Sequence, residues 1–218
     1  MPQNPLPALT LLQTRVLGVL IEKQHTVPDT YPLSLNTLVS GCNQKTSRDP
    51  VMTVSEAEAQ DALDELKSLS LVMEGSGSRV TRYEHNVERV LHLPSQSVAI
   101  MAVLMLRGPQ TPGELRINCE RLHKFSDISS VEAFMHELRD RPAGALVVEL
   151  PRRPGARENR WAHLLSGAPA MEAQAEAPSF APVAPSVTAD LAGRVAQLEH
   201  EVAELKAVVE KLRSELGA

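Results

Sequence analysis

Apolar residues recur at helical spacing in two parts of the chain that resemble each other. In residues 10–23 these positions are Leu12, Val16, Val19 and Leu20. Residues 97–107 repeat the pattern with a more apolar composition. Apolar residues spaced by three and four positions are typical of an amphipathic helix. We therefore predict one such helix at the start of each of two similar segments.

A second and a third helix are predicted in each segment. Ser34 is a suitable N-cap for the first segment's second helix, and the third helix begins near Ser55. Thr111, followed three residues later by Glu114, forms a capping-box pattern in the second segment. The third helix there begins near Ser129. The expected buried positions of the third helices are Ala59, Ala62, Leu63 and Leu66 in the first segment and Val131, Phe134 and Leu138 in the second.

A β-hairpin is predicted after each third helix, because an apolar strand is followed by turn residues and an alternating strand. Both hairpins begin with L-V-x-E and end with R-x-x-R-[YW]-x-H, in residues 71–85 and 146–163. Five positions separate the glutamate from the first arginine in the first copy, and eight in the second. The second hairpin tip is therefore three residues longer.

Successive strand residues face opposite sides of a sheet. Arg82 and Arg160 occupy one strand position, and Tyr83 and Trp161 occupy the next. We expect the two aromatic side chains to pack onto their helices, and the arginines to face the other way on exposed hairpins.

Three helices followed by a hairpin, twice, is the element order of a winged helix. We therefore predict a mainly α fold with small β-hairpin wings (α+β): two tandem winged-helix domains, a linker and a C-terminal coiled-coil helix. The expected boundaries are an N-terminal arm at 1–9, domain 1 at 10–90, domain 2 at 91–166, the linker at 167–189 and the coiled-coil helix at 190–217.

The end of the chain has a different pattern. Residues 167–189 are rich in alanine and proline and contain no lysine or arginine, which is typical of a linker. Valine at a and leucine at d then alternate over nearly four heptads, which favours a parallel two-stranded coiled coil and hence a homodimer. A single amphipathic helix packed on its own domains is the alternative, which the narrow stripe disfavours. The heptad residues are Leu191, Val195, Leu198, Val202, Leu205, Val209, Leu212 and Leu216.

Composition narrows the function classes. Hydrophobic residues make up 43% of the 218 residues and aromatic residues only 3%, which argues against a stacking platform for single-stranded nucleic acid. The net charge is −5, so no overall basic character marks a nucleic-acid-binding protein. The N-terminus has no signal-peptide pattern, and no apolar run approaches a membrane span. We expect a cytoplasmic protein with no membrane partner and with two reduced cysteines.

Three stretches of the chain read "LIEKQHTVPDTYPLSLNTLVSGCNQKTSRDPVM", "LRGPQTPGELR" and "ELPRRPGARENRWAHL". They resemble the YceH-like family of uncharacterised bacterial proteins. The resemblance covers about residues 9–166. It implies two tandem winged helices, and it implies no function, catalytic residue or ligand residue.

Winged helices most often place the third helix in the major groove of DNA. In the first segment, however, that helix directs Glu58, Asp61 and Glu65 outward, and DNA phosphates repel such a face. The corresponding face of the second segment is near neutral, with Glu132, His136, Arg139 and Asp140. Neither third helix has the charge of an ordinary recognition helix.

Positive charge is instead found on the hairpins and on the loop before the first segment's third helix. Phosphate contacts through these groups would position the protein on duplex DNA. Equally, exposed hairpins often contain solvated arginines that protect strand edges. The candidate nucleic-acid-binding residues are Arg79, Arg82, Arg152, Arg153, Arg157, Arg160, Lys45 and Arg48.

The loop "NQKTSR" permits two interpretations. Asn43, Gln44 and Ser47 could contact a ligand or a partner, or they could satisfy the backbone of their own loop. The second interpretation is slightly favoured, and the three residues are kept as a candidate site.

No pattern indicates an enzyme. The seven histidines form no H-x-x-x-H pair and no cluster with cysteine, so neither a metal nor another cofactor is expected. His85 and His163, at matched strand positions, are expected at the edge of the core.

We therefore predict a non-enzymatic, DNA-associated regulator that contacts the DNA backbone through its wings as a dimer. The alternative is a protein-interaction module that uses Glu58, Asp61 and Glu65 to meet a basic partner. An exposed acidic surface on this helix would favour a protein partner.

Overall fold

The computed structural model describes residues 6–75, 80–153 and 155–168. These residues belong to one compact unit, Met1–Met171. Predictions for Arg79, for nearly all of the linker and for the coiled-coil helix at 190–217 lie outside the described residues, as does most of the N-terminal arm.

The described residues form a mainly helical α+β structure with two small antiparallel sheets. The first half comprises α1 (Leu11–Thr26), a short 3₁₀ helix (Pro28–Thr30), β1 (Leu33–Ser34), α2 (Leu35–Cys42), α3 (Glu56–Ser68), β2 (Val72–Gly75) and β3 (Arg82–His85). The second half comprises α4 (Val87–Leu91), α5 (Ser95–Arg107), α6 (Pro112–Asn118), α7 (Ile128–Arg139), β4 (Val147–Glu149) and β5 (Trp161–His163). The sequence analysis did not predict the 3₁₀ helix, β1 or α4; apart from these elements, both halves have three helices followed by a hairpin.

The helix starts agree with the capping patterns. Ser34 accepts a hydrogen bond from the backbone of Thr37 and caps α2. Thr111 and Glu114 form the expected capping box at the start of α6. A side-chain cap satisfies backbone N–H groups that have no partner within the helix. The predicted start of α7 near Ser129 is slightly late, because Asp127 caps that helix.

The two hairpins have the same register. Glu74 pairs with Tyr83 in the first sheet, and Glu149 pairs with Trp161 in the second. The repeated sequence strings therefore correspond to equivalent positions in the two hairpins. The sheets differ in size, because β1 adds a third strand beside β3, whereas Gln110 forms only a single bridge to Trp161.

Helices α1 and α5 pack together at the centre of the unit and join both halves into one hydrophobic core. Gly18 of α1 permits this approach, because a Cβ there would lie 2.9 Å from Cγ of Leu106. Residues 13–21 of α1 are buried throughout, since neighbouring elements cover more than the predicted apolar side. None of the helices in the described ranges is long and apolar enough to cross a membrane.

The buried faces of the third helices were predicted correctly for α3 and partly for α7. Ala59, Ala62, Leu63 and Leu66 are buried, as expected. In α7, Val131 and Leu138 are buried together with Met135, whereas Phe134 is only half-buried. The prediction for Phe134 is confirmed only in part, because this side chain packs against the core at its rim, where its ring lies 5.9 Å from that of Phe125.

Candidate nucleic-acid interface

The tip of the second hairpin is held by its own backbone. The Leu150 N–H donates to the Arg160 carbonyl at 2.7 Å and extends the strand pairing beyond β4 and β5. Nearer the tip, the Ala156 N–H donates to the Arg153 carbonyl at 3.0 Å. Gly155, which lies between these two residues, has a φ of +80°, a conformation that favours glycine. These contacts fix a turn within the most arginine-rich part of the chain.

Trp161 anchors this hairpin to the helices. Its side chain is 3% exposed, and the Arg139 guanidinium lies 5.8 Å from the ring. Its backbone exchanges hydrogen bonds with Gln110, at 2.7 and 3.0 Å. Since Gln110 directly precedes the cap of α6, the hairpin tip is brought beside the start of that helix. Tyr83 is equally buried and donates to Gln60 of α3, so both aromatic predictions are confirmed.

A cleft of about 240 Å³ opens between the second hairpin and the start of α6. We call it the arginine cleft; it is lined by Arg153, Arg157, Arg160, Glu158, Thr111 and Glu114. Arg152, Arg153 and Arg157 are exposed and Arg160 is half-buried. Three of the four predicted arginines of this wing therefore line one surface. Sequence reasoning missed Glu158, which lies within the hairpin, and it missed Thr111 and Glu114, which the tertiary fold brings beside the hairpin next to the Gln110–Trp161 bridge.

The first hairpin presents its arginine differently. One Arg82 nitrogen donates to the carbonyls of Thr30 and Pro32, at 3.2 and 2.7 Å. These bonds tie the exposed side chain to the segment before β1, although a guanidinium has further donors. Part of the Arg82 guanidinium therefore forms hydrogen bonds within the protein.

Arg48 is not an accessible cation, and its burial argues against the predicted nucleic-acid contact. Its side chain is fully buried and forms an ion pair with Glu22 at 2.6 Å. It also donates to the Gly41 carbonyl and to the side chain of Gln44. Burial alone would raise the pKa of Glu22, but the hydrogen bonds and charges of Arg48 and Lys23 lower it overall.

The other polar side chains of this loop mostly form hydrogen bonds within the protein. The Asn43 side chain exchanges hydrogen bonds with the backbone of Val54, at 2.7 and 2.8 Å. Ser47 accepts from Arg107 of α5 at 2.7 Å. Arg15, which the sequence analysis did not single out, is buried beneath the loop and donates to the carbonyls of Cys42 and Pro50. These contacts agree with the second interpretation of the loop, and Lys45 remains as its exposed cation.

Helix α3 presents an acidic face, Glu58, Asp61 and Glu65, which is exposed to solvent. Glu58 accepts hydrogen bonds from the Ser55 side chain and backbone, which lower its pKa. Glu65 accepts from the Gln13 side chain. All three carboxylates remain on the surface, as the sequence predicted.

Neither third helix has an excess of accessible positive charge. Lys67 of α3 is paired with Asp64 at 2.8 Å and with Glu74 at 2.9 Å. On α7, Arg139 is half-buried and bonded to Asp140 at 2.8 Å. Both helices therefore lack the unpaired cations with which a recognition helix meets phosphate.

The buried titratable groups do not form a reactive cluster in the part of the chain that the structure describes. Burial lowers the pKa of His85 and of His163 to about 4, so both rings are neutral at neutral pH. Burial also raises the pKa of Cys42 and of Cys119 to about 12, so both are thiols. Within the described ranges, no group of three or more His, Cys, Asp or Glu side chains could hold a metal ion.

Comparison with known families identifies the chain. A family model described as "Protein of unknown function, DUF480" matches residues 9–156. The chain belongs to this family. The DUF480 match contains the seven α-helices, the 3₁₀ helix and strands β1 to β4, together with Arg152 and Arg153 of the second hairpin. The YceH-like resemblance is confirmed, because it denotes the same family.

Relatives named UPF0502 proteins are similar to this DUF480 chain over nearly its whole length. One from Dechloromonas aromatica is 62% identical over 203 residues, covering 93% of this chain and 95% of the relative. One from Burkholderia orbicola is 60% identical over 223 residues, covering 99% and 94%. One from Cupriavidus necator is 58% identical over 221 residues, covering 99% and 90%. Their names state no activity, so function must be argued from the surfaces of this chain.

Proposed function

We propose that this protein is a cytoplasmic, non-enzymatic, DNA-associated regulator that contacts the DNA backbone mainly through its second hairpin. The observation that supports this most strongly is the accessible set of arginines at that hairpin: Arg152, Arg153 and Arg157, with Arg160 half-buried beside them. Guanidinium groups bind phosphate oxygens well, and such contacts do not depend on the base sequence of the DNA. The proposed contact is therefore to the backbone.

The proposed architecture is two tandem winged-helix domains. The repeated order of three helices and a hairpin supports it, as do the equivalent pairs Glu74–Tyr83 and Glu149–Trp161. The usual docking of a third helix in the major groove is disfavoured by the acidic face of α3 and by the paired charges of α7. The hairpins, rather than the third helices, would therefore make the main contact with DNA.

We further propose that the protein is a homodimer through a coiled coil at residues 190–217. The support is the valine and leucine heptad pattern, which favours two parallel strands. A dimer would present two second hairpins to one duplex and so double the phosphate contacts. Deleting residues 190–218 should convert a dimer to a monomer in light scattering; an unchanged mass per particle would refute the coiled-coil assignment.

The DNA proposal is tested by fluorescence anisotropy of the full-length protein against a labelled random duplex across a salt series. Backbone contact predicts an affinity that falls with rising salt, with a log–log slope of about −0.9 for each phosphate neutralised. The slope would then count the contacts. The absence of binding at low salt would refute nonspecific backbone binding.

A second candidate function is recognition of a basic protein by the acidic face of α3. The exposure of Glu58, Asp61 and Glu65 favours it, because it leaves three carboxylates accessible on one helix. Glu58→Lys combined with Asp61→Lys should abolish association with such a partner. The paired change Glu132→Lys and Glu137→Lys on exposed positions of α7 is the matched control. A partner retained by the α3 variant would refute this function.

A further inference from the structure

The arginine cleft differs in its surroundings from the corresponding part of the first half. In the first half, β1 pairs with β3, and Arg82 donates to the backbone carbonyls that lead into β1. In the second half a single bridge, Gln110–Trp161, replaces that strand pairing. The longer tip then places three arginines around a cleft.

The size of the cleft suits a small ligand. Its volume of about 240 Å³ is below the roughly 300–1,000 Å³ that is usual for pockets that bind drug-sized molecules. A single tetrahedral anion with part of its attached group fits such a space.

The charge of the cleft favours an anion. Three guanidinium groups face two carboxylates, and one of these, Glu114, already accepts hydrogen bonds from the Thr111 backbone and hydroxyl at 2.8 and 3.1 Å. Glu158 is the remaining negative group. Each guanidinium has five N–H donors in a planar fork, so it can keep an intramolecular partner and still donate to a ligand. The donors are these side chains and not the seven-residue helix α6.

We propose that the arginine cleft binds a phosphoryl group, with Arg153, Arg157 and Arg160 donating to its oxygens. Arginine pairs with phosphate through parallel N–H···O bonds, which gives both charge and geometry. The phosphoryl group belongs either to the DNA backbone or to a small phosphorylated molecule. Only the first source rests on the DNA function proposed above.

The test is a titration of the full-length protein with inorganic phosphate at constant ionic strength. NMR signals of the arginine Nε–H groups report where the ion binds. The signals of Arg153, Arg157 and Arg160 should shift together and saturate, whereas that of the exposed Arg121 should not. Equal shifts without saturation at all four would show only an ion atmosphere and would overturn the proposal.

Three variants distinguish specific phosphate binding in the cleft from nonspecific attraction to a positively charged surface. Arg157→Gln should raise the dissociation constant for phosphate about tenfold, because a charge-assisted hydrogen bond is lost. Glu158→Gln should lower it by roughly threefold, because a repelling charge is removed. Arg121→Gln makes the same charge change on an exposed residue outside the cleft, and its effect should be below about twofold. Equal effects of the two arginine variants would overturn the proposal.

A duplex then identifies the source of the phosphoryl group. DNA that shifts the same three signals and competes with inorganic phosphate would support a backbone contact in the cleft. Phosphate that binds in the cleft while the duplex shifts none of the three signals would support a small phosphorylated ligand and would count against the DNA function. DNA binding without any phosphate effect in the cleft would overturn this inference alone.

Discussion

The two hairpins of this chain are alike in backbone and different in the environment of their arginines. Each pairs a glutamate with a buried aromatic residue at the same register. Arg82 in the first hairpin donates to nearby carbonyls, whereas Arg153, Arg157 and Arg160 in the second line a cleft. The same local fold thus supports two surfaces with different chemistry. Function has to be argued from each surface separately.

The largest expected effect concerns the anchor of the second hairpin. Trp161→Ala should lower the free energy of unfolding by about 4 kcal/mol, because it removes a large buried ring and leaves a cavity. Urea unfolding followed by circular dichroism measures this change. Arg152→Ala, an exposed position in the same hairpin, should change stability by less than about 0.5 kcal/mol. A loss below about 1 kcal/mol for the tryptophan variant would contradict its anchoring role.

The next effect separates two cations of the loop before α3. Arg48→Ala should cost about 3 kcal/mol in unfolding free energy, because the partly buried Glu22 loses its main partner and keeps only Lys23 at 3.3 Å. Lys45→Ala, on an exposed cation of the same loop, should cost less than about 0.5 kcal/mol. Equal effects in urea unfolding would show that Arg48 has no special structural role.

A smaller effect compares one glycine from each of the second helices, Gly41 near the end of α2 and Gly113 at the start of α6. A Cβ at Gly41 of α2 would lie 2.6 Å from a Val19 methyl group, so Gly41→Ala should destabilise by about 2 kcal/mol. At Gly113 of α6 the nearest atoms lie at 3.9 Å or beyond, so Gly113→Ala should be neutral or mildly stabilising. The melting temperature should therefore fall for Gly41→Ala and stay the same or rise slightly for Gly113→Ala. Changes of the same sign and size in both variants would contradict the packing of α1 on α2.

The smallest effect is a pH dependence. The pKa of Glu22 is lower in the folded than in the unfolded state, so its ionised form stabilises the fold at neutral pH. This contribution is lost as the pH falls below the usual carboxylate pKa of about 4.3. The stability difference between wild type and Glu22→Gln should therefore be largest near neutral pH and should shrink with acidification. In an Arg48→Ala background, which removes the main stabilising partner, a pH dependence of the same size would refute the pairing.

Local signals in the sequence were sufficient to predict most of the elements. Ser34 and Thr111 cap their helices as expected, because capping depends on residues only three positions apart. The two hairpins were also predicted from local signals, because each repeated string contains both strands and the turn between them. Helix α4 was missed, since it has only five residues, too few for a recognisable periodic pattern. The pattern of α7 was compatible with both Phe134 and Met135 as core residues, and tertiary packing decided between them.

The candidate site was predicted only in part. Sequence showed that the second hairpin is rich in arginine, and the structure brings three of these arginines to one cleft. It could not show that Arg48 pairs with Glu22, which lies 26 residues away and is brought close by the packing of the loop on α1. Nor could it place Thr111 beside the hairpin tip. Both contacts depend on the tertiary arrangement, which a charge count does not contain.

The central claim is that the protein contacts DNA mainly through its second hairpin. The most direct test compares two full-length variants in the duplex anisotropy assay across a salt series. Replacing Arg152, Arg153, Arg157 and Arg160 with alanine should abolish binding, whereas Lys45→Ala with Arg82→Ala should change affinity and salt slope little. Binding that persists in the first variant with an unchanged salt slope would contradict the claim.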